Sequence, residues 1–472
     1  MEDCLSLFAN ILVGFRNTRT FHICWFSPSA RCIMAKKSYA LPAVAVALAV
    51  LACSSVLYTP LPDSVAEQGK LQVLMAFFKI MRAATHVVAF VGPYSHIETM
   101  DMMMEMTMAQ QYYSASAGDV KLTETEMAGV PVVIYRPVEA DTTSAPSTVF
   151  FHGGGFVLLS TRAYDFTTYD IARGTKTVVV SVDYRRGLQH PFPAAVHDCI
   201  NVTTHLLREG HRYGIDVNRI GVAGDSAGGN LATVVALHLG ERRKTAQTRD
   251  LPSLKFQALF YPLLQAVDFW LPSYMDNNDV TPAILNRNFI TYLLAVYFGL
   301  GHKARHYGSV MAKGGHIPSQ VQKEYSKHVN RSQLCGHHEG GVWSQKQGES
   351  GKIRDPYSSG PVDSEHPSVD WELHRLVASK ITDPMFSPLF AANVSHAPPT
   401  YLHVAEFDVL RDEGLLYASK LRDAGVKVKT HFSKGGVHGE ITKVGTKSFE
   451  FRLGELALEK MYEFVNETLQ GL

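Results

Sequence analysis

Arg219-Ile220-Gly221-Val222-Ala223-Gly224-Asp225-Ser226-Ala227-Gly228 decides the fold. Its first half is a short apolar run suited to a buried strand. Its second half is G-x-S-x-G, a nucleophile elbow, in which a sharp strand-to-helix turn holds the serine hydroxyl clear of the backbone and flanking glycines let strand and helix approach without clashing. A second motif lies upstream: His152-Gly153-Gly154-Gly155 follows the apolar run Thr148-Val149-Phe150-Phe151, where enzymes with such an elbow place backbone N–H donors for an oxyanion hole. Gly153, Gly154 and Ala227 are the expected donors, with His152, Gly155, Gly224, Asp225 and Gly228 shaping the two turns.

From about residue 132 the chain alternates strand-like and helix-like segments, the pattern of a mainly parallel α/β sheet. Strands are predicted over 177–182, 219–223, 256–261, 400–405 and 426–432, and a helix over 228–239. With the elbow, this predicts an α/β-hydrolase fold with a helical cap and an N-terminal transmembrane helix. In that fold the acid and base follow the serine in the order Ser, Asp/Glu, His. Asp408, just past the 400–405 strand, and His438, in Gly435-Gly436-Val437-His438-Gly439 past the 426–432 strand, fit that order as acid and base to Ser226. Asp412 and Glu413 precede a predicted helix over 414–421, where carboxylates stabilise the amino end, so they are read as structural. Asp225 adjoins the serine on a tight elbow, so it is expected to hold the oxyanion region. His152 precedes the serine and is read as a loop-orienting group.

A chain of 472 residues, 46% hydrophobic and 19% charged, can bury one large core or two modest ones, and its net charge of +1 leaves no electrostatic footprint for nucleic acid. The six cysteines contain no C-x-x-C pair. Cys199 and Cys335 are the two beyond the apolar N-terminal segment, and they leave one disulfide open in an oxidising compartment. Cys335, His337 and His338 lack a spaced fourth ligand and read as a loop; neither metal nor organic cofactor is expected. A nucleotide-binding oxidoreductase is disfavoured, because Gly221, Gly224 and Gly228 do not form G-x-G-x-x-G. A hydrolase fold used only as a scaffold is the stronger rival, since fold does not ensure chemistry.

Residues 39–58 are apolar and uncharged, about 20 in number, the length a helix needs to cross roughly 30 Å of hydrocarbon. Arg31, Lys36 and Lys37 precede them and no Lys or Arg follows before Lys70, which predicts a retained signal anchor with a cytoplasmic N-terminus and a lumenal body. The expected organisation is a cytoplasmic tail over 1–38, with 1–33 a candidate alternative start, an anchor over 39–58, a membrane-proximal and cap segment over 59–130, and a catalytic domain over 131–472. An excursion from the sheet over about 301–370 includes a linker-like stretch at 344–352. Sequons at Asn201, Asn330, Asn393 and Asn466 are glycosylation candidates if the body is lumenal. The apolar stretch 70–91 reads as a cap helix or one resting on a membrane, and the methionines from Met100 to Met108 as gap-fillers or an adaptable lipid-binding surface.

His152 to Gly155, Gly224 to Leu231, Tyr261-Pro262-Leu263-Leu264-Gln265-Ala266-Val267-Asp268-Phe269, Asp408-Val409-Leu410-Arg411-Asp412-Glu413-Gly414 and Tyr58-Thr59-Pro60-Leu61-Pro62 together resemble the arylacetamide deacetylase and neutral cholesterol ester hydrolase family of hormone-sensitive-lipase-like α/β-hydrolases, the latter enzymes in particular. The resemblance runs from about residue 34 to near the C-terminus. It is weakest over about 302–370, and it departs from the family pattern within Tyr184-Arg185-Arg186-Gly187-Leu188-Gln189-His190-Pro191. It implies a type II membrane protein of the endoplasmic reticulum whose lumenal serine hydrolase cleaves lipophilic carboxylic esters, with an arylacetamide-type deacetylase of small esters and amides as the alternative.

Overall fold

Strand Val178–Val182 has all five residues buried and four of them valine, which suits a parallel strand covered on both faces. It lies inside an eight-stranded sheet. The computed structural model describes residues 54–108, 118–242, 250–329, 331, 334, 368–442 and 450–471. The chain divides into two compact units, 1–56 and 57–472; of the first, only 54–56 are described, and all that follows concerns the second.

Helices α1 (Gln68–Val91) and α2 (His96–Met108) precede the sheet. Strands β1 (Val120–Met127) and β2 (Val130–Pro137) form an antiparallel hairpin closed by Ala128-Gly129, both at positive φ (52° and 80°), as a tight two-residue hairpin turn requires. There follow β3 (Ala145–Phe151), α3 (Asp165–Thr175), β4 (Val178–Val182), α4 (Ala194–Glu209), β5 (Ile215–Asp225), α5 (Ala227–Arg242) and β6 (Gln257–Phe260). The helices α6 (Pro272–Asp276), α7 (Arg287–Tyr297), α8 (Ala304–Ala312), α9 (Ser319–His328) and α10 (Trp371–Ile381) then leave the sheet, and β7 (Thr400–Phe407), α11 (Arg411–Asp423), β8 (Val428–Val437) and α12 (Arg452–Gln470) complete it. The strand order is β1-β2-β4-β3-β5-β6-β7-β8; β2 runs antiparallel to both its neighbours and every other pair from β4 onward is parallel.

The sheet begins at Val120, so the boundary expected at 131 would cut a hairpin. On β1 only Val120 and Met127 are buried, while Thr123 to Glu126 face solvent, so this edge strand carries no apolar alternation to read. The expected excursion over 301–370 contains two helices, α8 and α9, the first with Ala304, Tyr307, Met311 and Ala312 buried. Its linker-like part, 344–352, lies outside the described residues.

The main core fills both faces of the sheet. A second cluster joins Leu71, Leu74 and Met75 of α1 to Val280, Ala283, Val437 and Phe451. Fully burying one such side chain is worth about 1.5–3 kcal/mol, so this cluster fastens the cap helix beside the loop that carries His438. The loop is also held directly, since the Ala66 amide donates to the Gly435 carbonyl at 2.9 Å. By length and composition α1 is the one helix among the described residues long and apolar enough to cross a bilayer. The expected anchor over 39–58 lies outside the described residues except for 54–58.

Candidate active site

Ser226 sits at φ 55°, a left-handed conformation that a non-glycine residue adopts at a cost. The turn is held by the Ser226 amide donating to the Phe260 carbonyl (2.9 Å), while the Ser226 carbonyl accepts from Asn230 (3.1 Å) and Leu263 (3.2 Å). The two flanking glycines are required by close approach: a Cβ on Gly228 would strike the carbonyls of Phe151 and His152, and one on Gly224 those of Gly228 and Phe151. Thus the crossing of β5 and α5 over the end of β3 is written in these two residues.

Asp408 lies one residue past β7 and His438 one residue past β8, both at the carboxyl edge of the sheet where β5 ends in Ser226. His438 Nδ1 is 2.8 Å from Asp408 Oδ2 and His438 Nε2 is 3.1 Å from Ser226 Oγ. The second Asp408 oxygen accepts from the Leu410 amide at 2.9 Å. Asn277 ties down the same turn, donating to the Glu406 carbonyl (3.0 Å) and the Asp408 carbonyl (2.9 Å). The three side-chain-bearing residues are 6%, 1% and 8% exposed for Ser226, Asp408 and His438, so their contacts operate away from bulk water, where they are stronger. The Tyr261 ring packs on His438 with centroids 4.6 Å apart. Behind His438, Glu440 accepts from the Val437 amide (3.2 Å) and pairs with His403 Nε2 (2.8 Å), bracing the loop.

The structure separates the carboxylates that the sequence left side by side. Asp412 accepts from the Ser273 amide (2.7 Å) and Arg411 Nε (2.9 Å). Glu413 accepts from the Leu264 amide (2.5 Å), Gln265 Nε2 (2.7 Å) and Tyr274 Oη (2.8 Å), while burial pushes it up to about 8. Both stand in the first turn of α11 and hold the 264–274 segment in place. His152 is stacked on Tyr184 (4.2 Å) with Nδ1 2.8 Å from the Gly153 carbonyl; burial holds it down to about 4, so it is neutral and shapes the glycine loop.

Asp225 is buried and accepts from Tyr164 Oη at 2.9 Å. Burial pushes its carboxyl up to about 6, against the Tyr164 hydroxyl, the charge of His438 and the Gly153 amide. Gly153 lies against this pair, where a Cβ would meet Tyr164 Oη at 2.6 Å and Asp225 Oδ2 at 2.7 Å, and Gly154 and Gly155 line the cavity with Ser226; among the described residues no backbone carbonyl accepts from the N–H of any of the three. Gly154, at φ 106°, turns the loop with its carbonyl accepting from Leu158 at 2.9 Å.

The cavity above Ser226 encloses about 1040 Å³ with its open mouth. Its walls come from Leu74, Phe78 and Met81 of α1, Met100, Met104 and Met108 of α2, and Ile284, Phe289 and Leu293 around α7. The methionine run thus divides, with alternate turns facing the cavity and Met102 and Met106 facing out. Sequence reading missed Asn277, Glu440 and Tyr164, which lie in no motif; the Y-P-L-L-Q-A-V-D-F and D-V-L-R-D-E-G stretches signal a different contact, Glu413 to Leu264 and Gln265. Among the described residues no group of His, Cys, Asp or Glu is arranged to hold a metal; His337 and His338 lie outside them. Cys199 is buried as a free thiol on α4 and Cys335 lies outside the described residues. Asn201 and Asn393 are exposed, Asn466 is half-buried on α12, and Asn330 lies outside the described residues.

Residues 148–323 and 338–442 match the family model of the alpha/beta hydrolase fold. Arylacetamide deacetylase-like 3 of Homo sapiens is 31% identical over 349 residues, 74% of this chain and 78% of that protein. Neutral cholesterol ester hydrolase 1 of Bos taurus is 30% identical over 81% of this chain and 88% of its own length, and arylacetamide deacetylase of Oryctolagus cuniculus 30% over 87% and 96%. Proteins of both names match at one level, which fixes the family and not a branch within it. Among solved structures, an esterase of Pyrobaculum calidifontis superposes with a TM-score of 0.54 at 24% identity, covering 82% of this chain and 97% of that one, and an esterase from Mycobacterium marinum with 0.53 at 24%, covering 79% and 90%. At those identities the likeness speaks for the fold.

Proposed function

The chain belongs to the arylacetamide deacetylase and neutral cholesterol ester hydrolase family of α/β-hydrolases and is a serine-type carboxylic ester hydrolase, and from that premise we propose that Ser226 cleaves lipophilic esters through an acyl-enzyme. His438 takes the hydroxyl proton as Ser226 Oγ attacks the ester carbonyl, and Asp408 fixes the imidazole tautomer and stabilises the imidazolium that forms. The N–H groups of Gly153, Gly154 and Ala227 receive the oxyanion at the amino end of α5, one such donor being worth about 3 kcal/mol in the transition state. His438 then returns the proton to the departing alcohol. Water repeats the attack on the acyl-enzyme and releases the acid. The observation that carries this reading is the relay of 3.1 Å and 2.8 Å contacts from Ser226 through His438 to Asp408 beside an apolar cavity.

Lipophilic substrates are favoured by the cavity wall, where aliphatic and aromatic side chains and methionines predominate. Within the family we favour the neutral cholesterol ester hydrolase branch, because a relative of that name acts on an apolar ester of the kind this wall would suit. The uncharged run over 39–58, with cations on its N-terminal side, supports a type II anchor in the endoplasmic reticulum membrane and a lumenal catalytic body. Ile80, Val87, Phe90 and Val91 of α1 are exposed apolar residues, Phe90 by 90%, and suit the cap to rest against that membrane. A fluorophosphonate probe applied to membranes holding the wild-type protein or Ser226→Ala tests the core of this reading. Labelling of the wild type alone supports it, and ester hydrolysis surviving in purified Ser226→Ala would sink the nucleophile assignment.

A further inference from the structure

Arg82 is the one Lys or Arg among the described residues that line the cavity, and among them no ion pair holds it. It projects from α1, and among the described residues the one hydrogen bond its side chain makes is a long one, Nη2 to the Ala283 carbonyl at 3.4 Å. Its guanidinium lies over the Phe289 ring, 5.0 Å from the centroid. That contact occupies a face of the guanidinium, while its N–H donors lie in the plane, and those not turned to Ala283 stay available. A cation partly stripped of water with so few partners is costly, and burial lowers its pKa accordingly.

The surroundings do not compensate it. Of the α2 carboxylates, Glu98 caps its own helix by accepting from the Ser95 amide (2.7 Å), Asp101 is taken by Arg186 (2.7 Å), and Glu105 by Ser160 Oγ (3.0 Å). His96, half-buried and packed on the exposed His86 at 4.1 Å, is held down to about 4 by burial and by the charges of His86, Arg305 and Arg82, so it is neutral and offers no counter-charge. Arg305, on α8, is exposed and its guanidinium lies 5.6 Å from the Tyr292 ring centroid. The positive potential therefore runs from the exposed surface to a donor edge on the wall of an otherwise apolar cavity.

Resting on the reading of this cavity as the substrate site, we propose that Arg82 determines specificity by receiving an anionic group, carboxylate or phosphate, at the end of an amphiphilic ester remote from the carbonyl that Ser226 attacks. A planar guanidinium with a free edge matches such an anion bidentately. The apolar wall holds the chain between the two ends, so recognition depends on the distance from the ester to the anion.

Two substrate series read this out on the full-length protein in detergent. One comprises 4-nitrophenyl half-esters of unbranched dicarboxylic acids from succinate to dodecanedioate, each against the monoacid ester of equal length. The other comprises acetates of ω-hydroxy acids against the matching alkyl acetates. The measured quantity is kcat/KM for the anionic member divided by that for the neutral one. In the wild type this ratio should peak at one chain length in one series, which assigns the anion to the acyl or the alcohol half. Arg82→Met should lower the peak about ten- to a hundredfold, and Arg82→Lys, which keeps the charge without the fork, should recover part of it. A flat ratio in both series, or a peak that Arg82→Met leaves in place, overturns the proposal while hydrolysis of the neutral esters leaves the esterase reading standing. Wild-type protein inert towards every ester would overturn both. Thermal melts of the variants separate misfolding from lost recognition, since the ratio is taken within each folded protein.

Discussion

Asp408→Asn replaces one oxygen by an amide and should remove nearly all activity without unfolding the protein. The Leu410 amide donates to one Asp408 oxygen at 2.9 Å, so an asparagine keeps its carbonyl oxygen there. Its NH₂ then faces His438 Nδ1, across the contact that is 2.8 Å in the wild type. Two donors cannot face each other, so Nδ1 must become the acceptor and the ring proton moves to Nε2. Nε2, 3.1 Å from Ser226 Oγ, can then donate to the serine but cannot take its proton. A wrong tautomer of this kind lowers kcat about ten-thousandfold in a serine-histidine-aspartate relay, or about 5 kcal/mol of transition-state stabilisation. Steady-state and burst kinetics with a 4-nitrophenyl ester measure it at neutral pH, and a urea titration near the wild-type midpoint confirms that both hydrogen-bonding positions of residue 408 are still filled. A variant with kcat within tenfold of the wild type would refute the tautomer argument and, with it, Asp408 as the acid partner of His438.

Asp225→Asn tests the buried carboxylate of the elbow. Its folded pKa of about 6 lies above an ordinary value of 3.8, so the stability it contributes is full below about pH 4 and lost as pH rises through about 6. Across that window the unfolding free energy of the variant should gain on the wild type by up to about 3 kcal/mol, two units at about 1.4 kcal/mol each; a constant difference, or one of opposite slope, counts against burial as the cause. Glu440→Ala removes the contacts to His403 Nε2 and the Val437 amide and should destabilise the protein by about 1–3 kcal/mol and lower kcat through a loosened His438 loop. Glu440→Gln, which can still accept one of these bonds, should restore part of both, and wild-type kinetics in the alanine variant would show that the loop needs no such brace. If the body is lumenal, Asn201→Gln and Asn393→Gln should each remove one endoglycosidase-sensitive step in gel mobility after expression in the secretory pathway, and an unglycosylated wild type would argue against that orientation.

How far the sequence is legible follows from which residues are restricted by backbone geometry. Gly224, Gly228 and the glycine loop at 153–155 are legible because close approach or a left-handed turn admits little else. The parallel strands around β4 are legible because burial on both faces demands unbroken apolar runs. Asp408 and His438 are legible by order and by place, each just after a strand at the carboxyl edge of the sheet. β1 escaped because an edge strand with one buried residue at each end has no alternation. The partner of Asp225 is not legible, because the carboxylate is oriented by Tyr164, a residue from another turn.

The cavity is the least legible part for a different physical reason. Its wall is assembled from α1, α2 and the 283–293 segment, which are far apart in sequence and contribute leucine, isoleucine, phenylalanine and methionine. Side chains of that kind exchange for one another at little energetic cost as long as volume is kept, so no residue type marks a position as wall and not core. Chemistry and selectivity are accordingly carried by different parts of the chain. The sheet edge positions Ser226, His438 and Asp408 with backbone turns that tolerate few substitutions, whereas the cap can be re-shaped without disturbing them, because its attachment to the body rests on the Leu71, Leu74 and Met75 contacts and on the Ala66 to Gly435 hydrogen bond. A change at Phe78 or Met81 should then alter which esters are accepted, while a change at Gly228 should cost the fold. In such a wall the polar side chain is the informative one, because retaining a desolvated charge among aliphatic neighbours opposes folding and needs a compensating partner, and among the described residues no carboxylate pairs with Arg82.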